Sequence, residues 1–287
     1  MRSPFKYLMV GMVAALFFSS VGAVARTPQP ANQNRNGAVA QNPPDKADDG
    51  PGGPAPVRDL TGGWIGPNEA GLSNRIPPMT PAGQAKLKLN VPDPFSETSN
   101  DPWKTCDPLG MPRIVNNQIA QLAFAQMPGR IAILEYFART WREVWMDGRQ
   151  LPKNVGHKGG PSTMYLGYSV GHWEGDNTLV VDTVGIDERT WVDRRGYPHS
   201  VDAHVIERYT RVDHNHLGLT ETLDDPAYYT QPFVIAKTAY RWVRGQENPG
   251  IAPFSNEWLC LPSEAIEYMK IVGTTADEDA VTGVKKP

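Results

Sequence analysis

The chain has 287 residues and a formal net charge of −3, and its Lys and Arg residues form no basic block. This charge makes nucleic acid a poor partner, because nucleic-acid binding relies on clustered basic side chains. Apolar residues make up 40% of the chain and charged residues 21%, which is ordinary for a globular protein.

The first 25 residues are typical of a cleaved secretory signal. Arg2 and Lys6 give a positive start, residues 7–18 are apolar and uncharged, and residues 23–25 (Ala-Val-Ala) form a small-x-small cleavage pattern. The apolar run is shorter than the about 20 residues that a transmembrane helix needs, and no later stretch is long and apolar enough. We therefore expect a periplasmic or secreted protein without a membrane span.

After this signal the composition predicts three regions. Residues 26–56 predict a disordered linker, since they are rich in Pro, Gly, Asn and Gln and hold no aromatic residue, Leu or Ile. Residues 57–275 are enough for a single β-rich domain with its own core, and residues 276–287 predict a flexible tail.

The chain contains two cysteines, Cys106 and Cys260, and they lie within the predicted domain. Outside the cytoplasm such a pair usually forms a disulfide, which would stabilise a loop of this length by roughly 4–5 kcal/mol. Two buried free thiols are the alternative, because the sequence alone does not establish the pairing.

Short segments with β-branched and aromatic residues, each ending at a turn signal, predict nine strands. They are 57–65, 121–127, 130–137, 140–146, 165–173, 178–186, 203–212, 217–223 and 233–243. Thr80 followed by Pro81 predicts a short helix that continues to Leu89, and Ser263 predicts the start of a second. Successive hairpins without βαβ spacing favour an all-β, antiparallel barrel or curved sheet, with a two-sheet sandwich as the alternative.

Four predicted strands each place one carboxylate on their apolar face, if side chains alternate along each strand. These carboxylates are Glu135, Glu143, Asp182 and Glu221. A buried carboxylate is costly unless it is paired or neutralised. The pattern therefore indicates either a polar interior that binds a small molecule or a structural network of ion pairs with arginines.

The densest polar cluster lies between residues 187 and 208, and it supplies the candidate catalytic residues. Histidine changes its charge near neutral pH, so His204 is the candidate general acid or base, oriented by Asp202 or Asp182. Arg189 would stabilise developing negative charge. A structural histidine is the alternative for His204.

Further residues are candidates for binding the substrate. Trp191 stands among charged residues and is the tryptophan that we expect to contact a ligand, whereas the tryptophans inside strands, such as Trp141, belong to the core. The other candidate substrate-binding residues are Glu143, Asp193 and His199.

Several familiar motifs do not fit the chain. Residues 167–171 match G-x-S-x-G, but a strand rather than a helix follows, which argues against a hydrolase elbow. His199, Asp202 and His204 match no standard metal spacing, and no P-loop or G-x-G-x-x-G is present. We therefore expect neither a metal ion nor another cofactor.

Four stretches together resemble a family of secreted bacterial proteins to which no activity can be assigned. The stretches are Asn100–Trp103 with Cys106–Arg113, Trp173–Asp176 with Leu179–Thr183, Arg189–Trp191 with Asp193, and Pro198–Ser200 with His204 and Glu207–Tyr209. The resemblance covers most of residues 100–230, and Asn177 is an insertion in one hairpin. It implies a calycin- or lipocalin-like fold, to which the residues add the one or two short helices named above, and it implies no particular reaction.

The sequence thus predicts an extracytoplasmic enzyme that acts on a small organic molecule by cofactor-free acid–base chemistry, as a lyase, isomerase or hydrolase. The alternative is a non-catalytic carrier of an apolar or aromatic ligand, which requires a deep and mostly apolar cavity.

Expressed with its leader in a Gram-negative host, the protein should be recovered from the periplasm with Arg26 as its first residue, because signal peptidase cuts after a small residue. Intact mass and N-terminal sequencing measure the outcome. The control Ala25→Asp should block cleavage. A chain that keeps Met1 and stays in the cytoplasm would contradict the prediction.

Overall fold

The structure is a computed structural model, and it describes residues 52–66, 71–72, 75–93, 96, 98–116, 121–135 and 140–243. The predicted signal, tail, second helix and Cys260 lie outside the described residues, as does most of the linker. The Cys106–Cys260 disulfide therefore stays a prediction.

Nine strands form a closed β-barrel, in agreement with the predicted all-β, lipocalin-like class. With one short additional strand, β2, the described sheet contains ten strands: β1 Gly62–Ile65, β2 Gly71–Leu72, β3 Gln121–Met127, β4 Arg130–Glu135, β5 Thr140–Trp145, β6 Tyr168–Glu174, β7 Thr178–Val184, β8 His204–Arg211, β9 His216–Asp224 and β10 Phe233–Trp242. The barrel order is β1, then β3 to β10 in sequence, and β1 pairs with β10 to close it. The two-residue β2 pairs with β10 as an additional strand.

Neighbouring strands pair antiparallel except β5 and β6, which run parallel. Their register joins Val144 to Ser169 and Trp145 to Val170. The expected antiparallel pairing is wrong at this step, because residues 146–167 form a long connection that returns the chain to the same end of the barrel. Parallel neighbours require such a crossover, whereas antiparallel neighbours need only a hairpin.

The helical elements are short. Helix α1 spans Pro81–Leu87, and the Thr80 hydroxyl caps it by accepting a hydrogen bond from the Gly83 amide at 3.1 Å. Pro81 is the first helical residue, as predicted. A single 3₁₀ turn covers Pro102–Thr105. Among the described residues, no helix is both long and apolar enough to cross a membrane.

Two of the four predicted inward carboxylates do lie in the barrel interior. Glu135 on β4 and Glu221 on β9 are buried beside apolar neighbours of the same face. On β8 the same alternation buries Glu207, which lies directly opposite Glu221 in the pairing of β8 with β9. The barrel therefore encloses three carboxylates, one of which the strand patterns did not identify.

Glu143 is not inward-facing, because β5 has the opposite orientation to the predicted one. Trp141, on the face of Glu143, is 57% exposed, and Arg142 is buried instead. The Arg149 guanidinium lies 3.6 Å from the centre of the Trp145 ring. A stacked cation covers an outward tryptophan in this way, so the tryptophans of β5 did not mark the core face.

Asp182 on β7 also faces outward, contrary to the prediction. Both faces of this strand carry apolar residues: Val181 and Thr183 are fully buried inside, and Val180 is buried on the outside. Alternation alone could not choose between two apolar faces.

The burial difference between two strand tryptophans predicts a difference in stability. Trp64 is fully buried and its indole N–H donates to the Leu60 carbonyl at 2.9 Å. Trp64→Ala should lower the free energy of unfolding by about 3–5 kcal/mol. The control Trp141→Ala should change it by less than about 1 kcal/mol. Urea denaturation measures both, and equal losses would contradict the described orientation of β5.

Candidate functional site

Residues 109–116, here called the plug segment, pack against the end of the barrel where β7 ends and β8 begins. The apolar side chains of this segment are buried, including Met111. The Met111 amide donates to the Tyr165 carbonyl at 2.9 Å. Gly110 allows this close approach, because it has a φ of 64° and a Cβ there would lie 2.7 Å from the same carbonyl oxygen.

Arg113 of the plug segment contacts two residues, Asp101 and Trp191, that come from different parts of the chain. Its guanidinium forms a bidentate ion pair with Asp101, with Nη–Oδ distances of 2.7 and 2.9 Å, and both side chains are almost fully buried. The same guanidinium lies 5.3 Å from the centre of the Trp191 ring. Because bidentate pairs fix geometry, Arg113 holds Asp101 and Trp191 in place.

Asp101 and Trp191 line a cleft of about 310 Å³. The other walls come from α1 and the residues after it, from residues 99–108, from Tyr165, and from Glu188 and Arg189 in the loop after β7. This volume is near the lower end of the about 300–1,000 Å³ that small-molecule sites occupy. The cleft is therefore the candidate functional site.

Arg189 is held in a defined orientation at the cleft. Its Nε and Nη2 atoms donate to the two carboxylate oxygens of Asp187 at 2.9 and 2.8 Å. The hydrogen bonds from Arg189 lower the pKa of Asp187 to about 2, so this carboxylate is ionised at any ordinary pH. The guanidinium also stacks over Tyr165, 4.8 Å from the ring centre.

Two further charged side chains line the cleft without a protein partner. Neither the Lys86 ammonium nor the Glu188 carboxylate forms an ion pair or hydrogen bond with any residue that the structure describes. They also do not pair with each other. With Asp107, whose carboxylate accepts a hydrogen bond from Thr105 but forms no ion pair with a described residue, the cleft presents one cation and two anions whose charges are available to a ligand.

Of the predicted site residues, the structure brings Arg189 and Trp191 together in the cleft. His204 and Asp182 also contact each other, with Nε2 and Oδ1 2.8 Å apart, but they lie on the outer wall of β7 and β8 and do not line the cleft. Asp202 is not their partner, because its carboxylate lies 2.7 Å from Nε2 of His157.

The remaining predicted binding residues have protein partners. His199 is fully buried, and burial lowers its pKa, so the imidazole is neutral. Its Nε2 lies 2.7 Å from the Thr190 hydroxyl, which positions the loop beside Trp191. Asp193 is buried and accepts from Arg195 Nε at 2.9 Å, and Glu143 accepts from Arg130 on the outer wall at 2.9 Å.

The sequence analysis did not identify Lys86 or Glu188. Lys86 belongs to a short surface helix, and a lone lysine there gives no signal of function. Glu188 lies inside the predicted polar cluster, directly before Arg189. Its position next to a candidate catalytic residue could have identified it. Asp107, another cleft residue, lies within one of the stretches that carry the family resemblance.

The barrel interior contains a cluster of polar side chains that is separate from the cleft and buried from solvent. Glu207 forms an ion pair with Arg142 and accepts from the Tyr209 hydroxyl at 2.6 Å. Glu221 accepts from the Asn116 side-chain amide of the plug segment at 3.0 Å. Because all of these side chains are buried, we interpret the cluster as a structural core that anchors the plug segment.

Two carboxyl groups of this core hold their protons unusually strongly. The pKa of Glu135 is raised from 4.5 to about 8, because the effect of burial outweighs that of the Arg142 charge, which lowers it, and the neighbouring Glu207 acts in the same direction as burial. Burial also raises the pKa of Glu221 well above its ordinary value, with Glu207 as the next cause. At neutral pH Glu135 and Glu221 are therefore neutral carboxyl groups.

Among the residues that the structure describes, no group of three or more His, Cys, Asp or Glu side chains is arranged to bind a metal ion. No family model, curated protein or solved structure matches this chain. The function is therefore inferred from the geometry of the cleft, and the family resemblance stays a prediction.

The raised pKa of Glu135 predicts that the protein loses stability as the pH rises. The folded protein binds this proton more tightly than the unfolded chain, so the contribution is complete below about pH 4.5 and is lost as the pH passes about 8. Glu135→Gln should reduce the loss, on the order of a few kcal/mol, because the amide does not ionise. Urea denaturation at about pH 5 and about pH 9 measures the difference.

The control for this prediction is Glu143→Gln on the outer wall, which should keep the full dependence on pH. A variant Glu135→Gln that loses as much stability between the two pH values as the native protein would show that Glu135 ionises normally in the fold.

Proposed function

We propose that this protein is an extracytoplasmic enzyme that acts on a small polar organic molecule by acid–base chemistry, with the cleft as its active site. The observation that carries the proposal is the cleft wall, where Lys86 and Glu188, which form no ion pair with a described residue, stand beside the oriented Arg189 and the buried Trp191. The secretory pattern of residues 1–25 supports the location.

Each of these side chains has a chemical role in the proposal. The Glu188 carboxylate takes a proton from the substrate or returns one to it. Arg189 stabilises negative charge that develops on the substrate, and its ion pair with Asp187 fixes it in advance. Trp191, held by Arg113, provides a rigid wall against which the substrate packs.

The polar character of the cleft supports an enzyme over a carrier of apolar ligands. A carrier needs a deep apolar cavity. In the described barrel, large buried side chains such as Trp64, Tyr209 and Ile133 occupy the interior. The cleft walls are instead rich in charged and amide side chains, which suit a polar molecule.

His204 is a second candidate for the acid–base group. Its Nε2 contacts the Asp182 carboxylate at 2.8 Å, and both side chains are partly exposed to solvent. A carboxylate that orients an imidazole is the usual arrangement of a histidine base. The loop that carries Glu188 and Trp191 leads from β7 to His204. Substrate turnover must therefore be measured for a Glu188 variant and for a His204 variant.

Deuterium incorporation can test the proposal without a known substrate. The mature protein is incubated in D₂O with a metabolite extract, and mass spectrometry identifies compounds that gain non-exchangeable deuterium or change mass. Proton transfer or bond cleavage by the enzyme should produce such compounds. Glu188→Gln should slow their formation by about 100-fold or more, because an amide cannot accept the proton.

The matched control is Glu174→Gln on the outer wall, where Glu174 pairs with Arg208 outside the cleft. It should react at the native rate. Loss of activity in His204→Ala with full activity in Glu188→Gln would move the chemistry to His204. An extract that is unchanged by the native protein would contradict the enzyme proposal.

A further inference from the structure

We propose that the cleft binds a zwitterion of amino-acid or dipeptide size, with the ligand carboxylate at Lys86 and its ammonium group at Glu188. The inference rests on the proposed function in one respect only, that the cleft is the ligand site. It adds the chemical class of the ligand.

The first step is the balance of charge on the cleft wall. The wall contains two cations, and one of them, Arg189, is neutralised by Asp187. It also contains the carboxylate of Asp101, which is neutralised by Arg113 behind the wall. Among the residues that the structure describes, Lys86 then remains as a positive charge without an ion pair, and Glu188 and Asp107 remain as negative charges without one.

The second step is that these opposite charges share one small cleft and yet do not form an ion pair. Lys86 belongs to the last turn of α1, whereas Glu188 belongs to the loop after β7, so separate elements hold them apart. A ligand with one positive and one negative group can bridge them. A ligand with a single charge leaves Lys86 or both acidic side chains without a partner, and a neutral ligand leaves all three.

The third step concerns the neutral polar side chains of the wall, which are already engaged with the backbone. The Asn100 amide accepts from the Val91 N–H and donates to the Leu89 carbonyl, both at 2.8 Å. The Asn90 amide group donates to the Gly196 carbonyl at 2.8 Å. A sugar is bound through many neutral hydrogen bonds, so a wall whose amides are committed favours recognition by charge.

The size of the cleft sets the upper limit of the ligand. A volume of about 310 Å³ suits a free amino acid or a dipeptide rather than a longer chain. Trp191 and Tyr165 on the wall suit an aromatic or other flat side chain on that ligand. Asp107 adds a second acidic group, which shares a hydrogen bond of 3.0 Å with Thr105 and strengthens the preference for an ammonium group.

Isothermal titration calorimetry on the mature protein tests this proposal. The probes are the free amino acids and a set of dipeptides that includes glycyl-tyrosine, followed by the N-acetylated and the C-amidated forms of the best binder. Removing either ligand charge should weaken binding by at least about tenfold, since a hydrogen bond to a charged group contributes about 1.5–3 kcal/mol.

Two variants assign the contacts. Glu188→Gln should bind the free and the N-acetylated ligand about equally, and Lys86→Met should bind the free and the amidated ligand about equally, because each variant lacks the partner of the charge that is removed. The control for lysine is Lys88→Met, which is exposed on the same helix end and does not line the cleft. The control for glutamate is again Glu174→Gln.

Three results would overturn the inference: no zwitterion in the set binds, the capped forms bind as tightly as the free ligand, or a neutral sugar binds in preference to all of them. The enzyme proposal fails separately. A zwitterion that binds in the predicted way without being converted removes the enzyme proposal and keeps the ligand class. Turnover of a compound that is not a zwitterion keeps the enzyme proposal and removes the ligand class.

Discussion

The ion pair between Arg142 and Glu207 is the interaction on which the inside of the barrel depends. The Glu207 carboxylate is fully buried, and loss of Arg142 would leave it without its ion-pair partner, at a cost of about 3–5 kcal/mol. The same charge determines the state of its neighbours. Glu221 lies directly opposite Glu207, and burial together with this neighbour raises the pKa of Glu221 well above its ordinary value, so Glu221 stays neutral.

This internal core is connected to the surface through the plug segment. Asn116 bonds to Glu221 at one end of the segment, and Arg113 bonds to Asp101 and stacks on Trp191 at the surface. Asp101 and Trp191 on the cleft wall are thus fixed by a residue that lies behind them. Side chains that are ordered before a ligand arrives lower the entropy cost of binding.

The sequence predicted strand positions well and side-chain faces less well. Bounds such as those of β3 follow from local composition and turn signals, which the sequence displays directly. The face of a strand depends on what covers it, and the arginine stacked on Trp145 could not be foreseen from β5 alone. The sequence identified only part of the cleft. Lys86 and Arg189 line the same cleft although more than one hundred residues separate them in the chain, and no local pattern shows this.

The two neutral carboxyl groups inside the barrel have a consequence for the exchange of protons with the surroundings. Near neutral pH the folded chain keeps protons on Glu135 and Glu221 that the unfolded chain releases. Folding therefore takes up protons and unfolding acidifies the solution, so the measured heat of unfolding includes the ionisation heat of the buffer. Mild acidity therefore favours the folded form by mass action.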